Sequence, residues 1–272
     1  MSRPTFQQAW SNIDEAEDPA YYVRFMDNMR PDGDDDPRYF GRLLATLEPQ
    51  PGERIIEIGC GSGGAARVLA GVVGPAGAVV GVDNSATMIA AAERRAAGRG
   101  LPVTYRVADG HRLPFADASF DACASWGVFE VVDDPRQVLS EMVRVTRPGG
   151  RVVVNAEDAG TQVVDGADPA LTRRIFDWHR DHELNGGIGH QLFGLFKELV
   201  LTDIEVIPGT LVDLAYGPLA RDWLGGIAAN AQAAGVITAA ELATWQEQVA
   251  AADRAGRFFS AITFFAVRGR KP

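Results

Sequence analysis

The residues whose types and spacing could carry chemistry begin at Arg54. The run RIIEIGCGSGGAARVLA, from Arg54 to Ala70, reads as a strand, a glycine-rich turn and a helix. Gly59, Gly61 and Gly63 let the backbone turn sharply and approach a ligand where any Cβ would collide. The helix that follows offers free N–H groups and the positive end of its dipole to that ligand. The same letters satisfy GxGxG and, through Gly64, GxGxxG, so the glycines alone also fit a dinucleotide. Asp83 follows the next strand, 20 residues past Gly63, where a carboxylate can accept hydrogen bonds from both hydroxyls of a ribose; that too fits more than one nucleotide cofactor. Three features narrow the choice. Glu57, two residues before Gly59, can orient the loop or bind an ammonium group. Asp109, in VADG after the third strand, is placed to bond an exocyclic amine such as that of adenine. RPGG (Arg147–Gly150) ends a helix and turns straight into a strand, with Gly as the expected left-handed cap.

Other candidate groups are sparser. Cys60 and Cys123 are the only cysteines and have no CxxC or Cys/His neighbour, so neither a disulfide framework nor a metal site is expected. The four histidines (His111, His179, His182, His190) lack HExxH spacing. Three of them lie in WHRDHELNGGIGHQLF, whose Gly186–Gly187–Ile188–Gly189 run could approach a ligand or flex as a lid. His182 or His190 is the expected base or orienting group, histidine being the usual proton acceptor near neutral pH. Trp10, Tyr21, Tyr22 and Phe25 have partly helical spacing. They pack an N-terminal helix onto the core, or else Tyr21 or Tyr22 lines a pocket.

These groups need elements to hold them. Ile55–Ile58, Ala78–Val82, Val103–Val107, Ala122–Ser125 and Arg151–Asn155 read as strands, each a short apolar run bounded by Gly, Pro or Asp. Between them Ala65–Val72, Ala86–Ala97 and Val138–Val145 have amphipathic helical spacing. This alternation implies right-handed βαβ units and a parallel sheet covered on both faces. After Asn155 the rhythm fails. Residues 157–190 read as a long polar stretch, followed by a helix near Gln191–Leu199 and a strand near Asp203–Ile207. Residues 211–257 look largely helical, and SAITFFAV (Ser260–Val267) is strand-like. The sharpest loop signals are Pro31–Pro37 and Pro208–Gly209.

The segments IIEIGCGSG, GVDNSATMI, VADGHRLPFADASFDACAS and LSEMVRVTRPGGRVVV together resemble a class I S-adenosylmethionine-dependent methyltransferase. Within that group the chain is most similar to the ubiquinone/menaquinone-biosynthesis and small-molecule methyltransferase families, over residues 40–156. The resemblance implies a Rossmann-like, doubly wound α/β fold with seven strands, mostly parallel with an antiparallel last strand, plus helical cap elements. It implies S-adenosyl-L-methionine as cofactor, with S-adenosyl-L-homocysteine as product. By position, Glu57, Gly59, Cys60, Gly61 and Gly63 resemble the loop holding the methionine part. Asp83 resembles the ribose-binding acid, with Asn84 beside it and Met88 in the helix that follows. Asp109 and Gly110 resemble adenine contacts. Ser125 and Trp126 occupy the position whose backbone faces the methionine part, though Trp126 reads equally as core packing. One departure concerns the segment WGVFEVVDDP: many relatives carry histidine there, whereas this chain has Phe129 and Glu130, so the resemblance alone does not assign a base to that position. Phe129 joins Tyr21 and Tyr22 as a candidate for the substrate pocket.

Methyl transfer from a sulfonium is an in-line displacement in which the protein mainly positions the reactants and excludes water. A base is required only for a hydroxyl or an acidic carbon. The lack of an obvious catalytic motif is therefore compatible with a small-molecule O-, N- or C-methyltransferase. The sequence leaves open a protein that binds the same cofactor without transferring methyl and, with Glu57 and Asp109 unexplained, an NAD-dependent oxidoreductase.

The 272 residues carry 26 basic and 36 acidic side chains, a net −10, which argues against nucleic acid as a partner. No apolar stretch suits a bilayer span and MSRPTFQQAWSNIDEAEDP lacks a signal-peptide core, so the chain reads as cytoplasmic, with monomer and homodimer both open. One domain over 1–272 is expected: a cap segment 1–39, a cofactor-binding core 40–156, cap or lid inserts 157–190 and 209–257, and 191–208 with 258–270 completing the sheet. Charge is uneven. Residues 1–36 hold nine acids against three arginines, a net −6, which leaves −4 for the other 236. The acidic excess thus falls on a segment expected to cover the site, with Asp32–Asp36 read as a solvated loop.

Overall fold

A strand buried on both faces must be apolar at every position, and Ile55, Ile56 and Ile58 meet that demand with at most 2% exposure. They belong to β1 (Arg54–Ile58), at the centre of the fold. The computed structural model describes residues 10–28 and 41–272; Asp32–Asp36 and Pro31–Pro37 lie outside the described residues. In chain order the elements are α1 (Pro19–Asn28), α2 (Gly41–Leu47), β1, α3 (Gly64–Val73), β2 (Ala78–Asp83), α4 (Ala86–Ala96), β3 (Val103–Val107) and β4 (Phe120–Trp126). They continue as α5 (Pro135–Val145), β5 (Thr146–Asp165), α6 (Pro169–His182), α7 (Ile188–Glu198), β6 (Thr202–Asp213), α8 (Pro218–Ala233), α9 (Ala239–Arg254) and β7 (Phe259–Arg270). No helix among the described residues is long and apolar enough to cross a membrane.

The seven strands form one sheet in the order β3-β2-β1-β4-β5-β7-β6. β3, β2, β1, β4 and β5 pair in parallel, and β7 inserts antiparallel between β5 and β6. Strand order reverses between β1 and β4, so a crevice opens at their carboxyl ends. The twofold alternation of side chains sorts the core into two layers. Ile56, Ile58, Cys123, Val152 and Val154 pack against Val138, Leu139 and Met142 of α5 and Leu192 and Phe196 of α7. Ile55, Ala122, Ala124 and Val153 face Ala66, Leu69 and Val73 of α3 and Leu47 of α2. A third cluster joins α6, α8 and α9 around Ile175, Phe176, Ile227 and the fully buried Trp245. A small one seats Ile13 and Tyr22 on Met88 of α4.

Four local expectations change. The polar stretch 157–190 is not a loop: β5 runs on to Asp165, and α6 follows with Pro169 in its first turn and the Asp168 side chain accepting from Leu171 N. Charges fill the outer face of α6, and its apolar face meets α8 and α9, which no local pattern reveals. Pro208–Gly209 lies within β6, where Pro208 is in register with Phe265. β6 is the edge strand, so a missing donor breaks no central ladder. The helical region after residue 211 begins only at Pro218, because β6 extends to Asp213. In RPGG, Gly149 has the expected left-handed φ of +72° but does not cap α5; its N–H donates to Lys271 O at 2.8 Å and ties the start of β5 to the end of the chain.

Candidate functional site

The glycine loop leaves β1 and returns at once into α3. Its turns are fixed by backbone bonds: Cys60 N–H to Val82 O and Gly63 N–H to Cys60 O, both 2.9 Å. Gly59 has φ +69°, and a Cβ there would come within 2.2 Å of Val128 Cγ2. Gly63, at φ +81°, caps α3, and a Cβ would meet the Tyr105 hydroxyl at 2.6 Å. These two positions require glycine, for both conformation and space. Asp83 locks the loop to β2: its Oδ2 accepts from Gly61 N–H at 2.8 Å and its Oδ1 from Ser85 N–H at 2.9 Å. Burial pushes the Asp83 carboxyl above the usual carboxylate pKa, with those two N–H groups opposing.

This loop borders a cavity of about 800 Å³, within the range of small-molecule sites. Of the expected cofactor residues, Gly59, Gly61, Asp83, Asn84, Met88, Asp109, Gly110 and Trp126 line it. Glu57, Cys60, Gly63 and Ser125 stand behind it rather than in its wall. Glu57 is buried in β1 at 3% exposure. Cys60 packs against β2, where a Cβ at Gly81 would lie 2.9 Å from its Sγ. Ser125 donates from its hydroxyl to Ile58 O at 3.1 Å and pins β4 to β1. Trp126 lines the cavity and also packs on the α3 layer. Asp109 accepts from His111 N–H at 2.9 Å and contacts His111 Nδ1 at 2.8 Å. Partial burial pushes the Asp109 carboxyl up, but these bonds outweigh it and hold the group below its ordinary value.

The N-terminal segment roofs this end. Trp10–Ile13, Phe25 and Met26 line the cavity, and Asn84 Nδ2 donates to Ser11 O at 2.8 Å. Asp14 accepts from Ser85 Oγ and Ala86 N–H, both 2.7 Å, and from Thr87 N–H at 3.2 Å, so it caps α4 from outside. Tyr22 is buried edge-on against Trp10 with ring centroids 4.9 Å apart, and Tyr21 packs on Tyr22. Neither tyrosine lines the cavity, so the packing reading holds for both. Phe129 is fully buried in the α5 layer and is not a pocket residue either.

The far end of the cavity comes from parts of the chain that no motif marks. Trp223 and Leu224 of α8, Leu211 and Asp213 of β6, and Ile262 and Phe264 of β7 form a mainly apolar wall. Glu130, Glu157, Asp213, Gln162 and Ser260 are its polar points, and among the described residues the lining includes no lysine or arginine. Burial pushes Glu130 up to about 7, opposed by the N–H groups of Glu130 and Glu157. Burial likewise raises Asp213, against a hydrogen bond with Ser260. The two histidines expected to act here are elsewhere. His182 stacks on Trp178 and its Nδ1 contacts Trp178 O at 2.9 Å. His190 is held by Asp158, and its side chain is 64% exposed. Neither lines the cavity, because α6 and α7 turn those faces away from it. The signal that could have pointed to the acidic wall is Glu130 itself, a carboxylate in the otherwise apolar run VFEVV after β4.

The methyltransferase domain family matches residues 56–154. The chain is 34% identical over 234 residues to an uncharacterized 37.1 kDa protein in transposon TN4556 of Streptomyces fradiae, an alignment covering 84% of this chain and 66% of that protein. It is 31% identical over 181 residues to a demethylmenaquinone methyltransferase of Halalkalibacterium halodurans, covering 61% of this chain and 74% of that enzyme. The chain thus spans about two thirds to three quarters of these relatives' lengths. Among solved structures, the YcgJ protein of Bacillus subtilis superposes with a TM-score of 0.60 over 86% of this chain and 98% of that one, at 19% identity, a likeness of fold.

Proposed function

The chain belongs to the class I S-adenosylmethionine-dependent methyltransferases, and we propose that it transfers the cofactor's methyl group to an uncharged or cationic small molecule held at the apolar end of the cavity. The observation that carries this reading is the continuity of one cavity from the glycine loop to a wall that, among the described residues, has no lysine or arginine. The residues fit the cofactor: the Gly59 and Gly61 backbone borders the cavity, and carboxylates stand at two successive strand ends, Asp83 and Asp109. In this assignment Gly59 and Gly61 lie against the methionine part, Asp83 and Asn84 against the ribose, and Asp109 with Gly110 against the adenine. Glu57, Cys60, Gly63 and Ser125 hold the loop in shape from behind, while Met88 and Trp126 supply apolar wall.

Bound there, S-adenosylmethionine supplies a methyl already activated by the sulfonium charge. The chain's own task is to align the acceptor and keep water out. The roof formed by Trp10–Ile13, Phe25 and Met26 and the wall formed by Trp223, Leu224 and Ile262 do both. A wall whose described residues include acids but no lysine or arginine disfavours phosphate- or carboxylate-bearing acceptors, and the net −10 disfavours nucleic acids for the same reason. Calorimetry with S-adenosylhomocysteine and with NAD tests the cofactor; binding of NAD alone would end this reading. Labelled methyl transfer to matched panels of phenols, quinols, amines and their phosphate esters tests the acceptor, and preferential labelling of the esters contradicts the charge argument.

A further inference from the structure

The loop after β4 carries a carboxyl that neither the sheet nor the cofactor assignment uses. Asn185 clamps this loop from outside, its Nδ2 donating to Phe129 O at 2.9 Å and to Val132 O at 2.7 Å. Between them Glu130 is 7% exposed. Its Oε1 accepts from Glu157 N–H at 2.6 Å, while Oε2 is buried with no hydrogen-bond partner among the described residues. Leaving such an oxygen unsatisfied is costly, so it calls for a proton or a ligand donor.

Glu130 borders two spaces, the main cavity and a small void behind it shared with Glu157, Glu183 and Asn185. Glu183 contacts His179 Nδ1 through Oε1 at 2.9 Å, and its own Oε2 is likewise buried without a hydrogen-bond partner. The titratable groups facing Glu130 are therefore Glu157 from β5 and Glu183 just past α6, with His179 behind Glu183. Among the described residues no lysine or arginine lines either space.

Resting on the methyl-transfer reading above, we infer that Glu130 is the general base for a phenolic or enolic hydroxyl bound at the apolar end of the cavity, with Glu183 and His179 as positioning residues behind it. The acceptor O–H bond breaks and its proton passes to Glu130. The electron pair freed on the acceptor, at oxygen or at the conjugated carbon, forms the new bond to the methyl group, and the pair of the broken S–CH₃ bond stays on sulfur. Trp223, Leu224, Ile262 and Phe264 offer the flat apolar surface that an aromatic or enolic acceptor needs. Asp213, the other raised acid of the wall, already takes a hydrogen bond from Ser260. Burial brings Glu130 to about 7, which suits a base working near neutral pH better than an ordinary glutamate does.

The test uses the full chain and Glu130→Gln, which keeps the Oε1 acceptor for Glu157 N–H. Difference infrared spectroscopy should show a buried carboxylic-acid band that vanishes with a midpoint near 7 in the native chain and is missing from the variant. With S-adenosylhomocysteine saturating, naphthol should bind about tenfold tighter above that midpoint than below it. Its methyl ether, of the same shape without the proton, should show no step, and Glu130→Gln should flatten the naphthol curve. A band that titrates in the ordinary glutamate range, or a naphthol step that survives Glu130→Gln, overturns the base. The homocysteine titration separates the two claims. Equal affinity in both chains leaves the base as the only difference, whereas a native chain that binds none overturns the methyltransferase reading and this inference together.

Discussion

Where the cavity meets β1 and β2 its wall is main chain; where it meets β6, β7 and α8 its wall is side chain. At the first end three glycines and two strand-end acids, all between residues 59 and 109, place N–H groups and carboxylates, and the shape follows from backbone angles. At the second, residues as distant as Glu130, Trp223 and Phe264 meet only because the sheet and the α6–α8–α9 cluster bring them together. The first design suits a ligand common to a whole family, because a backbone wall tolerates little change. The second lets the acceptor change by replacing side chains on a fixed frame.

The sharpest way to break this contrast is at Gly59. Alanine there must leave the left-handed region, at roughly 1–2 kcal/mol, and must displace Val128, whose Cγ2 would lie 2.2 Å from the new Cβ. Gly59→Ala should weaken S-adenosylhomocysteine binding at least about a hundredfold by calorimetry, about 3 kcal/mol or more. Affinity within a few-fold of native would show that the loop does not depend on its backbone geometry.

The second end holds the acid that titrates nearest neutrality, Glu130. A folded-state acid raised from 4.5 to about 7 means that the folded chain holds its proton more tightly than the unfolded one. Stability from this group is therefore fully present below 4.5 and is lost as pH rises, the loss being complete above about 7. The penalty is at most roughly 3 kcal/mol. Glu130→Gln removes it, so the variant's melting temperature should gain on the native chain as pH climbs from about 4.5 to about 7 and hold that gain above it. A constant gap across that range would place Glu130 in contact with water or a cation after all.

The contrast also explains what could be read in advance. The glycine loop, Asp83 and Asp109 were legible because a strand, a turn and a helix define their positions within a few residues. The antiparallel β7 was legible from SAITFFAV and the family layout. α6 was not, because charge fills its solvent face and its apolar stripe of Leu171, Ile175 and Phe176 makes sense only against α8 and α9. Pro208 misled because a proline marks a loop except on an edge strand. His182 and His190 misled because a histidine's type says what it could do but not which way its helix faces. His179, in the same run, is the one buried beside an acid.

Trp223 sharpens the contrast from the acceptor side. It lines the cavity from α8, with its ring edge-on to His179 at 6.4 Å between centroids. Trp223→Ala should raise the acceptor KM about tenfold while S-adenosylhomocysteine affinity stays within about twofold. If both fall together, the two ends are not independent and the wall is a single unit.

The smallest effect is expected at Asp14, where the roof is fastened to the first end by side chains rather than main chain. Asp14 takes hydrogen bonds from Ser85, Ala86 and Thr87 at the start of α4. Asp14→Ala should cost about 1 kcal/mol, the usual worth of a helix cap, and lower the melting temperature accordingly. Slight burial opposes ionisation, but the bonds from Ser85, Thr87 and Ala86 outweigh it and hold the carboxyl below 3.8. A depressed acid contributes stability that is present above its unfolded value and is lost as pH falls through the folded one. The gap between native and variant should therefore hold steady through neutral pH and close only in strong acid. A gap that closes already near neutrality would mean that the roof is held by something other than this carboxylate. The N-terminal aromatic cluster of Trp10, Tyr22 and Phe25 would then be the fastening to mutate next.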